Sequence, residues 1–130
     1  MTDTARLKLP LLAAAQSQKH VTVNEALTQL DLLSGIIAVT DRAHTAPAGG
    51  EPDGTVYILG GAGTGIWLGF GAGDLALRID GGWRRTLPSQ GMSAAIAAET
   101  GALVTWDGAR WALLNAYPLA LLGQLSAGAI

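Results

Sequence analysis

The densest run of groups able to do chemistry is Gln16-Ser-Gln-Lys-His20, which leads into Asn24-Glu25. Lys19, His20 and Glu25 are the residue types of a base, an acid and an orienting carboxylate. No nucleophile with a partner accompanies them, and a histidine beside a lysine lacks the company a metal ligand needs. The amides Gln16, Gln18 and Asn24 fit a docking role better, because side-chain amides satisfy backbone groups at interfaces. We therefore read Gln16, Gln18, Lys19, His20, Asn24 and Glu25 as candidate partner or oligomer contacts.

A second constellation is aromatic. Four tryptophans occur in 130 residues, and three flank predicted turns. Trp83 follows Asp80-Gly81-Gly82, while Trp106 and Trp111 bracket Asp107-Gly108. A flat indole beside a tight turn can stack on the apolar face of a sugar, with nearby Asp and Arg groups bonding its hydroxyls. Trp83, Trp106, Asp107, Arg110 and Trp111 are accordingly candidate glycan contacts. The competing role is simpler. With one Phe and two Tyr elsewhere, a small β core needs these rings for itself.

Other chemistries are poorly served. Gly60-Gly-Ala-Gly-Thr-Gly65 lacks the Gly-Lys-[Ser/Thr] ending of a phosphate loop, and it leads into Ile66-Trp-Leu-Gly-Phe70 instead of a helix. Asp41, Glu51, Asp53, Asp74, Asp80, Glu99 and Asp107 sit mostly at predicted turns, where turn formation explains them. His44 lies in a Pro/Gly loop. The absence of cysteine removes disulfides, thiolate catalysis and Cys-based zinc sites. We expect no catalytic residue, no cofactor and no metal, and hence no enzyme.

Charge and apolarity bound the partners. Net charge is −2, and the eight Lys and Arg are scattered except for Arg84-Arg85, so nucleic acid is excluded as an expected partner. Only 14% of residues are charged while 49% are hydrophobic, with a mean hydropathy of +0.33. Such a chain must hide surface, and self-association is the simplest way. No membrane partner is expected. The apolar stretch from Ala116 to Ile130 is interrupted by Pro118, Gly123 and Gln124, and it is shorter than the roughly 20 residues a bilayer requires. The N-terminus reads as mature sequence because Asp3 spoils a positive leader and the apolar run after it is short.

The elements that must position these groups follow from periodicity. Residues 1–20 read as an arm, with Leu7, Leu9 and Leu11 alternating as an extended segment and Pro10 forbidding a through-running helix. Thr22-Val-Asn-Glu25 fits a capping box, and Val23, Leu27, Leu30 and Leu33 or Ile37 recur at helical spacing. An amphipathic helix over about 23–34, stopped by Gly35, is predicted. Strands are expected at Ile36–Thr40 and in TVYIL, IWLGF, LALRI, WRRTL, LVTW and RWALL, with two- or three-residue hairpin turns at Asp80-Gly81-Gly82 and Asp107-Gly108. Residues 89–101 read as a helical turn or a loop. The predicted class is mainly β: a small antiparallel sandwich or barrel of hairpins with one N-terminal helix and extended terminal arms. The divisions are an arm at 1–20, a domain at 21–115 and an apolar tail at 116–130.

The segment Leu12-Ala-Ala-Ala-Gln-Ser-Gln-Lys-His-Val-Thr-Val-Asn-Glu-Ala-Leu27 resembles the opening signature of a domain of unknown function found in alphaproteobacterial phages, prophages and gene transfer agents. The resemblance continues through Pro47 to Gly54, Gly65-Ile-Trp67, Asp80-Gly-Gly-Trp83, Pro88 and Trp106-Asp-Gly-Ala-Arg-Trp111, spanning about residues 7–113. It implies a structural part of a phage-like virion, associated with tail fibres or head spikes, with no enzymatic residues established. The expected partners are further copies of itself, capsid or tail proteins, a fibre protein and host polysaccharide. The expected location is the cytoplasm during synthesis and a released particle afterwards. Because the chain is little more than this domain, a base or adaptor is expected rather than a complete receptor-binding fibre.

Overall fold

The computed structural model describes residues 3–12 and 19–114. Among these, the chain forms helix α1 (Lys19–Leu33) and seven strands: β1 (Ile36–Val39), β2 (Val56–Ile58), β3 (Leu75–Ile79), β4 (Gly82–Thr86), β5 (Ser93–Ile96), β6 (Ala102–Trp106) and β7 (Trp111–Leu113). They make two open sheets, β1-β5-β6-β7 and β2-β3-β4. The mainly β class and the helix are as expected. The open sheets settle the sandwich-or-barrel alternative against a closed barrel.

The helix differs from its expectation in start and in face. It begins at Lys19, so Thr22 lies inside its first turn, whereas an N-cap residue must precede the first helical turn. The predicted apolar stripe is buried only in part: Leu27 and Leu33 are half-buried, Leu33 against the first cluster. Val23 and Leu30 are exposed, while Thr28, Asp31 and Leu32 are buried. The N-terminal arm causes this rotation by supplying polar partners for a polar face. Thr4 donates from Oγ1 to Asp31 Oδ1 at 2.9 Å, and the Arg6 N–H donates to Asp31 Oδ2 at 2.8 Å. The helix stops at Leu33, and Gly35 takes φ +61° as anticipated.

The arm itself is not extended. A turn at Ala5–Leu7 and a left-handed Lys8 (φ +60°) bring Asp3 and Pro10 together in an isolated bridge. Residues 13–18 and 115–130, which include Gln16, Gln18 and the predicted apolar tail, lie outside the described residues.

Two packed clusters make the interior. Ile37 and Val39 of β1, Ala94 and Ile96 of β5, Val104 of β6 and Trp111 of β7 face Val56, Ile58, Leu75 and Leu77 of the three-stranded sheet, with Leu32 closing one side. The opposite face of that sheet carries Tyr57, Ala76 and Trp83, covered by Leu59 and Trp67 from the connecting loop. The molecule is thus layered: four-stranded sheet, first cluster, three-stranded sheet, second cluster, loop.

Three predicted local structures are corrected. Ile66-Trp-Leu-Gly-Phe70 is not a strand. Gly65 (φ +58°) and Gly69 (φ +98°) bend the chain around a 3-10 turn at Gly65–Trp67, which drives Trp67 inward. The 89–101 segment keeps a helical turn only at Ala97–Glu99, a 3-10 one, and before it contains β5, a central strand that pairs parallel with β1 (Ile37↔Ala94) and antiparallel with β6. The sheets are therefore not wholly antiparallel. Alanine is a poor strand former by propensity, and burial between two neighbours overrides that preference. Finally, β6 and β7 pair at Trp106↔Trp111, leaving the four residues 107–110 in the turn. Asp107 Oδ1 holds it by accepting the N–H groups of Ala109 and Arg110, both at 2.8 Å. The Asp80-Gly81 turn is the two-residue hairpin expected, with both residues at positive φ (49° and 74°).

Candidate functional site

Of the polar string, Gln16 and Gln18 lie outside the described residues. Lys19 and His20 lie in the first turn of α1. The Asn24 amide clamps the arm, accepting the Leu12 N–H at 2.8 Å and donating to the Leu12 carbonyl at 3.0 Å. Glu25 pairs with Arg84 at 3.0 Å, which ties the helix to β4. Asn24 and Glu25 therefore act within the chain.

The tryptophans divide between the two clusters. Trp83 stands edge-on to Trp67 (centroids 5.2 Å apart, 87°) and beneath the Arg78 guanidinium at 5.3 Å. Trp106 and Trp111 contact each other on the other side of the three-stranded sheet (5.6 Å, 60°). A single platform made of all three is excluded by this separation. Trp106, Arg110 and Trp111 do meet, in a recess of about 240 Å³ whose wall also includes Arg42, Gly60 and Gly73. The Trp111 indole N–H donates to the Gly73 carbonyl at 2.7 Å. Arg110 is 82% exposed and stands 3.9 Å from Asp107. The backbone N–H groups of Arg110 and Ala109 hold Asp107 below the usual carboxylate range.

Gly73 shapes this recess. A Cβ there would stand 3.0 Å from Trp106 Cζ3, on a backbone at φ +83°. Gly73→Ala is expected to cost about 2–3 kcal/mol through overpacking and left-handed strain. Urea unfolding measures it, and an unchanged midpoint would show that Trp106 yields freely.

Two ion pairs, Arg42–Glu99 and Arg85–Asp74, carried no signal in the sequence because their partners are 57 and 11 residues apart. Arg42 forms a fork with Glu99 (2.6 and 2.9 Å) and donates to the Trp111 carbonyl at 3.2 Å, fastening the loop after β1 to the four-stranded sheet. The guanidinium holds Glu99 low, and Glu99 in turn raises Arg42. Arg85 pairs with the buried Asp74 at 2.6 Å. His44 Nδ1 lies 2.9 Å from Asp41 Oδ1, and this imidazole, with the Ala43 N–H, holds Asp41 low. The Asp41–His44 pair has the form of an oriented base, yet no described hydroxyl bonds to the imidazole.

Tyr57 shows how these carboxylates serve the fold. Its hydroxyl donates to Glu51 at 2.9 Å, and Glu51 also accepts the Ala48 and Gly49 N–H groups, closing the loop. Burial, helped by Glu51, pushes the phenol up to about 12. Since the unfolded phenol ionises near 10, this group's contribution is intact below pH ~10 and is lost as pH rises towards about 12. Glu51→Gln is expected to bring Tyr57 ionisation down, read by ultraviolet titration against the parent chain. An unmoved transition would sink the assignment.

No set of three or more His, Asp or Glu able to hold a metal occurs among the described residues. No helix among the described residues is long and apolar enough to cross a membrane. Fold and site together define a layered two-sheet β module whose titratable groups mostly brace its own loops.

Residues 23–112 match the family described as a protein of unknown function, DUF2793, and the chain belongs to that family. The match runs from within α1 to β7 and leaves the arm outside it. No curated protein matches the chain.

Proposed function

We propose that this protein is a structural component of a phage-like particle, a base or adaptor of a head spike or tail fibre. It self-associates and anchors a receptor-binding appendage, without catalysis. The observation that carries this reading is the division of labour among its side chains. Asp31, Asp74, Glu99, Asn24 and Glu51 are bonded internally, while large aliphatic groups such as Leu30, Ile36, Ile66, Leu68 and Leu87 face outward. The resemblance of residues 12–27 to the phage and gene-transfer-agent domain supplies the biological setting. Synthesis in the cytoplasm and release with the particle follow from it.

The test is to delete the gene in a producing host. Particles are expected to fill with DNA but to lose an appendage and adsorb poorly, and the chain should co-purify with wild-type particles. Normal adsorption, with the chain missing from purified particles, would refute the reading.

The recess favours a second reading, in which the module contacts host polysaccharide. Trp106, Trp111 and Arg110 could hold one sugar ring there, with Asp107 confined to shaping the turn and Trp83 uninvolved. Host polysaccharide should then quench the tryptophan fluorescence of the wild type and not of Arg110→Ala. An unresponsive wild type removes the reading.

A further inference from the structure

We propose that residues 115–130 of the same chain cover the outer face of the four-stranded sheet, seating their leucines on Leu103 and its neighbours. The cover goes beyond the particle reading and leaves room for it. Leu30, Ile66, Leu68 and Leu87 lie on other elements and remain outward.

Strand register defines the face. Ile36, Ala38, Ala95, Leu103 and Leu114 lie on it. They point away from the first cluster, as alternation with buried Ile37, Val39, Ala94 and Val104 requires. Ile36, Leu103 and Leu114 are 49%, 36% and 40% exposed, and no charged residue stands among these positions. The hydroxyls on the two central strands satisfy each other, Ser93 Oγ standing 3.0 Å from Thr105 Oγ1. Apolar groups therefore settle on this face without stranding a polar one.

The occupant follows from where the chain goes next. The Leu114 N–H donates to the Leu103 carbonyl at 2.8 Å, so these two leucines stand side by side and the chain leaves from the edge of this face. Strands lie about 4.8 Å apart, so four of them span roughly 15 Å. About five residues of extended chain cross that width, and residues 115–130 exceed it. They include Leu119, Leu121, Leu122 and Leu125 and contain no Asp, Glu, Lys, Arg or His. An uncharged segment thus begins on an uncharged face.

Tethering decides between this segment and a second copy. A segment anchored at Leu114 meets the face at an effective concentration of the order of millimolar, so a modest apolar contact holds it. A separate copy must bury ~800 Å² per partner for a standard stable interface. The positions named on this face include none of the Trp, Tyr or Arg anchors on which such interfaces rely. Covering the face from within also hides apolar surface that a chain of this composition must hide.

The chain has no cysteine, so Leu103→Cys in the full chain places a single thiol on the face. N-ethylmaleimide should label it about tenfold more slowly than in the same variant carrying Leu119→Ser, Leu121→Ser, Leu122→Ser and Leu125→Ser. The four serines give up most of the apolar area that holds the cover. Leu68→Cys, in the opposite outer layer, should be labelled equally fast with leucines or serines in the segment. Circular dichroism must show each variant folded; Ala95→Cys, on the same face, replaces Leu103→Cys where that variant does not fold. Equal rates at the face with leucines and with serines overturn the inference. Protection that fades as the protein is diluted would assign the cover to another copy and likewise overturn it. Slow labelling that persists on dilution and depends on the leucines sustains it, whether or not the chain is found in particles.

Discussion

Trp67→Ala is expected to remove about 3–5 kcal/mol of stability, the cost of deleting a fully buried large aromatic. Trp67 is completely inaccessible and touches Tyr57, Phe70 and Trp83, so one truncation opens the whole second cluster. For a domain of this size the melting temperature should fall by on the order of 10–20 °C. Trp67→Phe should cost much less than alanine. The Trp67 indole N–H is buried with no partner, so phenylalanine keeps an aromatic ring and deletes an unsatisfied donor. Differential scanning calorimetry of the three proteins decides this. Equal losses for Phe and Ala would mean that the bicyclic shape, not buried area, holds the loop.

The same turn shows how far the sequence could be read. The residues Ile66 to Phe70 have strand composition, and only their flanking glycines speak otherwise. Those glycines adopt positive φ because Trp67 must reach Tyr57 and Trp83, a contact no local pattern encodes. β3, β4 and their Asp80-Gly81 hairpin were legible, since alternation and turn chemistry are both local. β5 was not, because Ser-Ala-Ala-Ile becomes a strand only when β1 and β6 lie on either side of it. The candidate glycan residues were legible as types but not as a group. Two of the three tryptophans share a recess while Trp83 belongs to another layer, and sheet order alone determines that. The helical stripe misled for a related reason. Val23 and Leu30 made the more apolar face, yet the arm brought donors to Asp31 and turned the polar side inward.

Asp31 carries the second large expected effect. It is completely buried, and both carboxylate oxygens accept. Oδ1 takes the Thr4 hydroxyl at 2.9 Å and the Leu7 N–H, while Oδ2 takes the Arg6 N–H at 2.8 Å. The Arg6 guanidinium then reaches the end of α1, donating to the Asp31, Ser34 and Ile36 carbonyls at 3.1, 2.6 and 3.0 Å. These are carbonyls that a helix end and the following strand leave unsatisfied. Asp31→Ala deprives three donors of their acceptors at about 1–3 kcal/mol each if they stay buried. The arm can escape that sum by undocking into water, so the expected global loss is nearer 2–4 kcal/mol. Escape has its own signature. Trypsin should cut after Arg6 or Lys8 under native conditions in the variant and spare these bonds in the parent. Asp31→Asn preserves the shape yet should rescue little, because its single acceptor oxygen cannot serve both sets and its amide would face an N–H. Cleavage at the parental rate in both variants would show that packing, not the carboxylate, fastens the arm. Because Asp31 lies within the family-matched region and its donors lie before it, a protected arm in Asp31→Ala would also break the link between this chain's N-terminus and the orientation of its helix.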